Sequence, residues 1–403
     1  MAERAAAPVP PPRTRALGRR AALALAVVLG LLMLDRAWRL EPAPAPKATW
    51  PAGPAAFAAG RWALEQRGHI PMPPATPAAH ASFLLPMPTG HAVALRAFWF
   101  AGTRESAADV QIAASELDRK TGQWSPARFV LDAGALGQQL GFGVRRLGNP
   151  VAWLDPGGRV HLFVVATGLG GWAASRIVHL RESAGGAGQL PPRFEPLRVL
   201  PLSWLWNTSF LVRTAPLPLV DGGMVLPVYF ELGLKYPVAL RFGADGAFLG
   251  LVRISRRTHL LQPTLLPLGE SDWLALMCDN GPNGRVAAAR SRSAGADWQD
   301  LPDLGLGNPD ASIAGLALQP GRMLLAHNPS RVGRGMLDLS SSVDGRNWRL
   351  EQPLERGALA DEFSYPSLAW TDDRLWISYT DGRRRIAWQR FAYTPDAGAA
   401  AGP

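Results

Sequence analysis

The chain has a single cysteine, Cys278, among its 403 residues. No disulfide can form within the chain, which excludes the small disulfide-stabilised scaffolds that are common among secreted proteins. A bacterial periplasm is compatible with this composition. Because 47% of the residues are hydrophobic, the chain has enough apolar material to be stabilised by a large core instead.

Several motifs that would indicate a function class are also missing. The sequence contains no His-x-x-x-His or paired cysteines for zinc, no glycine-rich phosphate loop and no Gly-x-Ser-x-Gly nucleophile motif, so we predict no metal and no cofactor.

Half of the net charge of +10 arises in residues 1–39, where seven arginines stand against Glu3 and Asp35. The remainder has no Lys/Arg run with interleaved aromatic residues, which argues against nucleic-acid binding.

The N-terminal residues have the pattern of an export signal or a membrane anchor. Residues 1–20 are basic, and the apolar run AALALAVVLGLLML follows at 21–34. This order predicts a cytoplasmic leader and a signal anchor or transmembrane segment at 21–38, with a cleaved signal as the alternative. We therefore expect a single-pass protein of a bacterial inner membrane whose folded part is periplasmic, or a secreted protein if the signal is cleaved.

Proline and alanine dominate residues 39–79, which predicts a semi-rigid spacer. Short apolar segments then follow one another, such as VHLFVVAT at 160–167 and WLALMCD at 273–279. Nearly continuous apolar runs of this length are typical of strands that are covered on both faces. Since long amphipathic helical patterns are scarce, we predict an all-β domain over 80–393 and a disordered tail over 394–403.

A turn motif recurs between these strands. The stretch SSVDGRNW at 341–348 has a counterpart in SRSAGADW at 291–298, where serine replaces aspartate, and a looser one in DRKTGQW at 118–124. Related turns without tryptophan are RESAGGAG at 181–188 and ADGAF at 244–248. A unit of roughly 50–65 residues with four short strands predicts a β-propeller.

Each residue type in the motif has a structural role. Aspartate accepts backbone N–H groups across the turn, glycine adopts the required backbone angle, and tryptophan packs beneath the turn between sheets. We therefore interpret Asp344 as structural and expect the chemistry at the other end of the blades. This constellation resembles the Asp-box, or BNR-repeat, proteins of the sialidase superfamily.

The resemblance extends over roughly 80–393 and implies a six-bladed β-propeller with an N-terminal anchor or signal helix. It also implies an exo-α-sialidase-like glycoside hydrolase that acts on a glycan outside the cytoplasm, with release of terminal sialic acid as its reaction. The further segments that carry it are HAS (80–82), FAGTRESAADVQI (100–112), LGNPV (147–151), GGWAASRI (170–177), LPVYFE (226–231), LLQPTLLPL (260–268), NPDAS (308–312), AHNPS (326–330) and DEFSYPSLAW (361–370).

The same resemblance implies site residues. The family uses a tyrosine nucleophile activated by a glutamate, an aspartate as acid/base, and three arginines that bind the sugar carboxylate. Tyr365 is accordingly the candidate nucleophile, Glu231 its activator, and Asp109 or Glu105 the acid/base. A structural role, such as packing between blades or a charged loop tip, is the alternative for each. The candidate carboxylate ligands are Arg334, Arg104, Arg241 and Arg385.

The chain departs from the family at the start of its first blade. Typical members have an Arg-Ile-Pro motif there, but this chain has no arginine between positions 68 and 95, and His80 stands at the entry instead. We consider His80 a candidate general base or sugar ligand, with a structural histidine as the alternative. Further candidates for binding sugar hydroxyls are the amides of Asn149, Asn207, Asn280, Asn308 and Asn328, with Trp172 or Trp99 as a stacking face.

Two other functions remain open at this point. One is a carbohydrate-binding propeller without catalysis, which the missing early arginine favours. The other is a polysaccharide lyase that uses Tyr365 and His80 on a uronic-acid polymer. In each case the expected partners are a glycan and the inner membrane, and we expect a monomer.

Overall fold

The structure is a computed structural model that describes residues 13–38, 45–51, 60–183 and 192–395. Residues 1–12 of the predicted leader, 39–44 and 52–59 of the predicted spacer, 184–191 around the turn RESAGGAG, and 396–403 of the predicted tail lie outside the described residues.

The described part consists of two helices, a short 3-10 turn at Gly171–Ala174, and a long series of strands. The helices are α1 (Arg13–Trp38) and α2 (Ala133–Leu140). The strands up to the middle of the chain are β1 (Gly60–His69), β2 (Ala78–Pro86), β3 (Val93–Gly102), β4 (Gln111–Asp118), β5 (Arg128–Leu131), β6 (Arg146–Leu154), β7 (Val160–Thr167), β8 (Ser175–Glu182), β9 (Phe194–Val199), β10 (Phe210–Val212), β11 (Leu217–Pro218) and β12 (Met224–Phe230). The remaining strands are β13 (Tyr236–Phe242), β14 (Phe248–Arg253), β15 (Leu260–Pro267), β16 (Trp273–Asp279), β17 (Val286–Ser291), β18 (Gln299–Leu301), β19 (Ala314–Gln319), β20 (Arg322–His327), β21 (Met336–Ser342), β22 (Arg349–Arg356), β23 (Phe363–Thr371), β24 (Arg374–Asp381) and β25 (Arg385–Pro395).

These strands form six antiparallel sheets, which confirms the predicted six-bladed propeller. Blades 1, 2, 4 and 5 each contain four consecutive strands: β2–β5, β6–β9, β15–β18 and β19–β22. Blade 3 contains β10–β14, with the short β10 and β11 both paired to β12. Blade 6 contains β23, β24 and β25 and receives β1 as its outermost strand.

The pairing of β1 with β25 closes the ring and corrects a domain boundary. The register extends from Gly60 opposite Pro395 to His69 opposite Ala387. The sequence predicts that this segment belongs to the spacer, because of its Pro/Ala-rich neighbours, and that the propeller starts at residue 80. Since most side chains of an outermost strand face solvent, β1 lacks the apolar run that identifies the other strands.

The core lies between neighbouring blades, where apolar side chains from both faces of each sheet meet. All eight residues of β7 and all seven of β16 are buried, as the continuous apolar runs predict. At the point of closure, the Trp62 ring of β1 packs edge-on against Trp370 at 6.1 Å and against Tyr393 at 5.0 Å between ring centres. The ring is therefore closed by apolar packing as well as by the strand pairing.

The turn at 341–348 has the predicted structural role. One carboxylate oxygen of Asp344 accepts the backbone N–H groups of Arg346 and Asn347, at 2.9 and 2.8 Å. These bonds hold the pKa of the Asp344 carboxyl below its ordinary value. Gly345 has φ 73°, and its carbonyl accepts the indole N–H of Trp348 at 3.1 Å. Because β21 begins beside the loop of Arg334 and ends at this turn, Asp344 lies at the opposite end of the blade from that loop.

The second copy repeats this geometry with serine. Ser293 Oγ accepts the N–H of Asp297 at 3.0 Å, and Trp298 Nε1 donates to the Gly295 carbonyl at 3.1 Å. In the looser copy, Asp118 accepts the N–H of Thr121 at 2.7 Å. The turns at 118–124, 291–298 and 341–348 are therefore variants of one structural element.

The C-terminal end of the N-terminal helix α1 contacts the propeller. The Asp35 carboxylate is buried and accepts the backbone N–H groups of Trp204 and Leu205 at 2.7 and 3.1 Å and the Ser203 hydroxyl at 2.9 Å. Among the helices of the described residues, none combines the length and the apolar character that crossing a membrane requires.

Four histidines are buried: His80, His161, His179 and His327. His161 is held between the Asp155 carboxylate at 3.2 Å and His179 Nε2 at 2.8 Å. Burial lowers the pKa of His179 to about 2 and that of His327 to about 4. These rings therefore stay neutral in the folded protein at pH values where an unfolded chain would protonate them.

This burial predicts a stability that falls in acid. Between pH 6.5 and about 4, the unfolded chain protonates His327 while the folded protein does not. The free energy of unfolding should fall with decreasing pH by about 1.4 kcal/mol per pH unit from this residue. Urea titrations across this window should show a smaller slope for His327→Gln than for the wild type. An unchanged slope in His327→Gln would contradict the prediction.

Candidate active site

Four of the six innermost strands contain the same bulge. In β2, β6, β15 and β23 two residues stand opposite one residue of the next strand. The first residue of each pair has a positive φ, and in three of them the second residue is a proline, which has no N–H to lose from the ladder. The residues with positive φ are Ala81 (57°), Asn149 (40°), Gln262 (49°) and Tyr365 (54°). All four bulges lie near the N-terminal ends of their strands, so they surround the propeller axis at one end, which we call the site face.

Tyr365 is at the centre of this group. Gln262 Nε2 donates to the Tyr365 hydroxyl at 3.3 Å and lies 3.4 Å from the Tyr229 hydroxyl. The ring centre of His80 lies 4.2 Å from that of Tyr365. Burial raises the pKa of Tyr365, while the amide of Gln262 and two nearby arginines act in the opposite direction. The tyrosine is therefore a neutral phenol held at the axis by an amide.

One of these arginines is Arg213, which directly follows β10 and is 1% exposed. Its guanidinium donates to the carbonyls of Ser82 and Pro366, at 3.3 and 2.9 Å, and lies 5.1 Å from the ring centre of Tyr365. Its Nε has no hydrogen-bond partner, and no acidic side chain pairs with it among the described residues. Burial lowers its pKa to about 10, so it remains a cation at neutral pH without an acid to balance it.

The second arginine, Arg334, belongs to a chain of ion pairs. Its guanidinium contacts Glu362 at 3.2 Å and the Asp310 carbonyl at 2.7 Å, and it lies 6.0 Å from the Tyr365 ring centre. Glu362 also binds Arg383 at 2.7 Å, and Arg383 in turn pairs with Glu105. The charges of Arg334 and Arg383 are therefore already balanced by Glu362 and Glu105.

Glu231 follows β12 at the same end of the propeller. Its carboxyl has no hydrogen-bond partner among the described residues, and burial raises its pKa, with Lys235 opposing and Asp310 adding to this effect. Asn280 links these two neighbours, because it accepts from Lys235 and donates to Asp310 at 2.5 Å. Glu231 is thus a carboxyl that holds its proton more strongly than an ordinary glutamate.

His80 lies beside Tyr365 and is 2% exposed. Neither ring nitrogen has a hydrogen-bond partner, although both are buried. Burial lowers the pKa of His80 well below its ordinary value, and Arg383, Arg213 and Arg334 lower it further. The ring is therefore neutral and presents one donor and one acceptor that a bound molecule could satisfy.

Four sequence candidates lie around this centre but are engaged in structural contacts. Both carboxylate oxygens of Asp109 accept from Thr103, at 2.9 Å each. Asn207 holds its own loop through bonds to the backbone of residues 200–203. Asn328 donates to the carbonyls of Met336 and Phe363, at 2.6 and 2.8 Å. The indole of Trp172 packs against Gly148, where a Cβ would approach it to 2.8 Å.

The arginine candidates other than Arg334 are less central. Arg241 pairs in register with Val225, near the start of β12, so it lies at the opposite end of this strand from Glu231. Arg385 is 56% exposed and pairs with Asp381 at 3.0 Å on an outer strand. Arg104 is exposed in the loop that also carries Glu105. Of the predicted residues, Tyr365, His80 and Arg334 therefore cluster closely, with Glu231 and Glu105 at their edge, and Asn149 is buried in the corresponding bulge of β6.

Three residues of the cluster were missed from the sequence: Arg213, Gln262 and Glu362. The dipeptides Asn149-Pro150, Gln262-Pro263 and Tyr365-Pro366 are a signal for the axial positions, since each marks a bulge in an innermost strand. Arg213 has no such signal, because its strand is interrupted between β10 and β11. Trp99, suggested as a stacking face, is fully buried opposite the bulge of β2.

No group of three or more His, Cys, Asp or Glu residues suited to a metal ion occurs in the part of the chain that the structure describes. The lone cysteine, Cys278, is buried, and burial raises the pKa of its thiol well above the ordinary value. The chemical groups of the cluster are therefore a phenol, guanidinium cations, a neutral imidazole, amides and carboxyls.

Comparison with known proteins agrees with this architecture. The model of the BNR repeat-like domain matches residues 93–377. No curated protein matches the chain by sequence. Among solved structures, the Hadza microbial sialidase Hz136 is 16% identical with a TM-score of 0.61, covering 78% of this chain and 65% of that one.

Two further solved structures are similar to the chain. Trypanosoma rangeli sialidase in complex with sialic acid is 13% identical with a TM-score of 0.61, covering 84% of this chain and 60% of that one. The NanB sialidase of Streptococcus pneumoniae is 10% identical with a TM-score of 0.60, covering 86% of this chain and 71% of that one. At these identities the likeness establishes the fold. The chain spans less than two thirds of the length of Hz136 and of the Trypanosoma enzyme.

Proposed function

Because this chain belongs to the BNR repeat-like domain family, within the sialidase superfamily, we propose that it is a sialidase-like glycoside hydrolase. We propose that it acts on an anionic glycan outside the cytoplasm, with terminal sialic acid as the sugar it releases. The observation that carries this proposal is the buried cation of Arg213 beside the axial Tyr365, a cation that no acid of the described residues balances. A periplasmic location and a monomeric state are part of the same proposal.

An anionic sugar suits the charge of the site. Arg334 and Arg383 are neutralised by Glu362 and Glu105, so Arg213 provides the uncompensated positive charge. A planar guanidinium binds a carboxylate through two parallel hydrogen bonds, and such bonds are strong where water is excluded. The neutral phenol of Tyr365 is a suitable nucleophile beside an anionic sugar, because a charged one would be repelled.

In the proposed reaction, the Tyr365 oxygen forms a bond to the anomeric carbon while the bond from this carbon to the leaving oxygen breaks. Glu231, predicted above as the activator of Tyr365, acts instead as the acid in this reaction: burial raises its pKa, and its protonated form gives a proton to the leaving oxygen. We assign the proton of Tyr365 to His80, whose ring centre lies 4.2 Å from that of the tyrosine and whose ring nitrogens are both unpartnered. This transfer requires the bound anionic sugar, because its charge offsets the arginines that otherwise lower the pKa of His80. Water then attacks the anomeric carbon and gives a proton to the Glu231 carboxylate, while the bond from this carbon to Tyr365 breaks and the phenolate takes its proton back from His80.

A second candidate function is glycan binding without turnover. The side chain at the Tyr365 hydroxyl is the amide of Gln262, which cannot take up a proton as a carboxylate can. If His80 does not act as the base, the phenol would lack an activating group. The axial site would then recognise an anionic sugar and leave it intact.

Replacing the tyrosine distinguishes the two functions. With the purified chain and a glycan panel that includes a sialic-acid glycoside, Tyr365→Phe should lower kcat about a thousandfold, since the attacking oxygen is lost. Calorimetry should find binding of the same glycoside changed only a few-fold. The control Asp344→Ala, at the opposite end of the blade, should keep wild-type turnover.

Wild-type turnover by Tyr365→Phe would contradict the hydrolase. Calorimetric binding by the wild type with no sugar released from any glycan of the panel would instead support the second function. In that case Gln262→Glu, which introduces a carboxylate beside the phenol, tests whether the missing base is the cause.

The role of Glu231 predicts a pH dependence. The acid must be protonated, so kcat should fall as the pH rises through its pKa, which lies above the ordinary value of 4.5. Glu231→Gln cannot donate a proton, so kcat should drop and this alkaline limb should disappear from the pH–rate profile. If the pH–rate profile of Glu231→Gln keeps its alkaline limb, a group other than Glu231 causes that limb.

A further inference from the structure

The large apolar side chains that the loops expose are concentrated on the site face. The loops of this face connect the second strand of a blade to the third and each blade to the next. On the opposite face, the described loops expose Val220 (59%) and Val343 (67%). The site face exposes Leu169 (78%), Trp204 (52%), Leu205 (40%), Trp206 (55%), Leu232 (42%), Leu234 (67%), Val332 (68%) and Leu359 (71%).

These residues have an unusual arrangement for a protein interface. They come from loops of blades 2, 3 and 5 and from the connections after blades 2 and 5, so they lie on two opposite sides of the polar axial cluster. Protein interfaces generally have the reverse order, with an apolar centre and a polar rim. Apolar side chains on either side of a polar recess suit a broad, fluid surface, because each of them can insert into that surface separately.

The charges on the site face are complementary to anionic headgroups. Arg104, Arg145, Arg331 and Arg384 are exposed, and no acidic side chain pairs with their guanidinium groups among the described residues. The exposed acids of the same face are Asp109, Asp132 and Asp361, and each accepts a backbone N–H within its own loop or helix cap. The arginines are thus available to a negatively charged partner, and the acids are partly satisfied.

The helix α1 adds apolar surface at the same place. Asp35 binds the backbone of Trp204 and Leu205, so the C-terminal end of α1 is attached to the loop with the two exposed tryptophans. The helix itself exposes apolar side chains, among them Leu25 (60%) and Met33 (70%). Tryptophan and arginine beside apolar surface are typical of contacts with the membrane interface.

We propose that the site face rests on the surface of a lipid bilayer with anionic headgroups, with Trp204, Leu205 and Trp206 inserted at the interface. The axial site then opens toward the bilayer, and the glycans within its reach are those attached to lipids. The contact with lipid does not depend on the reaction proposed above, because it uses no residue of the Tyr365 cluster.

The test uses the full chain and vesicles. Flotation should recover the protein with phosphatidylcholine vesicles that contain phosphatidylglycerol at about one part in four, and much less with pure phosphatidylcholine. The double variant Trp204→Ser, Trp206→Ser should bind the anionic vesicles at least about tenfold more weakly. The matched control Val220→Ser, Val343→Ser removes apolar side chains of the opposite face and should bind as the wild type does. All variants keep α1, so binding by this helix alone would be the same in each.

Hydrogen exchange of the wild type provides a measurement that does not depend on any variant. Anionic vesicles should slow exchange in the loops 200–209, 231–235 and 328–335 and leave the turn 341–348 unchanged. Equal vesicle binding by both double variants, or protection of the opposite face, would overturn the proposal. A dimer in sedimentation experiments without lipid, dissociated by the tryptophan substitutions, would also overturn it, because a second copy would then cover this surface.

Discussion

Every functional feature of this molecule depends on the closure of its ring of blades. Six sheets surround a common axis only if the last sheet is tied to the first part of the chain, and the pairing of β1 with β25 does this. Trp62 adds apolar packing at the same joint. Closure brings the bulges of the innermost strands together at one end, where side chains from different blades, such as His80, Gln262 and Tyr365, become neighbours.

The balance of charge at the axis follows from this convergence. Glu362 stands between Arg334 and Arg383, and Glu105 completes the chain of ion pairs. Arg213 is buried more deeply and is bound only to carbonyls, which satisfy its N–H groups without cancelling its charge. A buried, unbalanced cation is costly for a folded protein. The Arg213 cation lies beside the phenol of Tyr365 and the unpartnered imidazole of His80. A ligand of opposite charge that binds there best explains why this cation is present.

The sequence predicted the fold through local patterns, because the turn at 341–348 and its copies depend on residues close together in the chain. It also predicted Tyr365, which lies in a segment shared with a known superfamily, and Arg334, whose guanidinium lies 6.0 Å from the Tyr365 ring centre. Local reasoning could not assign β1, whose partner strand is at the other end of the chain. It likewise could not separate Asn149, which lies in a bulge of an innermost strand, from Asn207, whose amide is hydrogen-bonded within its own loop. Arg213 gave no signal because its importance arises only from burial and from the absence of an acid.

The axial recess is the proposed binding site for an anionic sugar, with Arg213 as its cation. A crystal structure of the chain with bound sialic acid tests this most directly. We predict the sugar carboxylate within hydrogen-bonding distance of the Arg213 guanidinium and the sugar ring next to Tyr365. Sialic acid bound away from the propeller axis, with Arg213 still bonded only to the carbonyls of Ser82 and Pro366, would contradict the account.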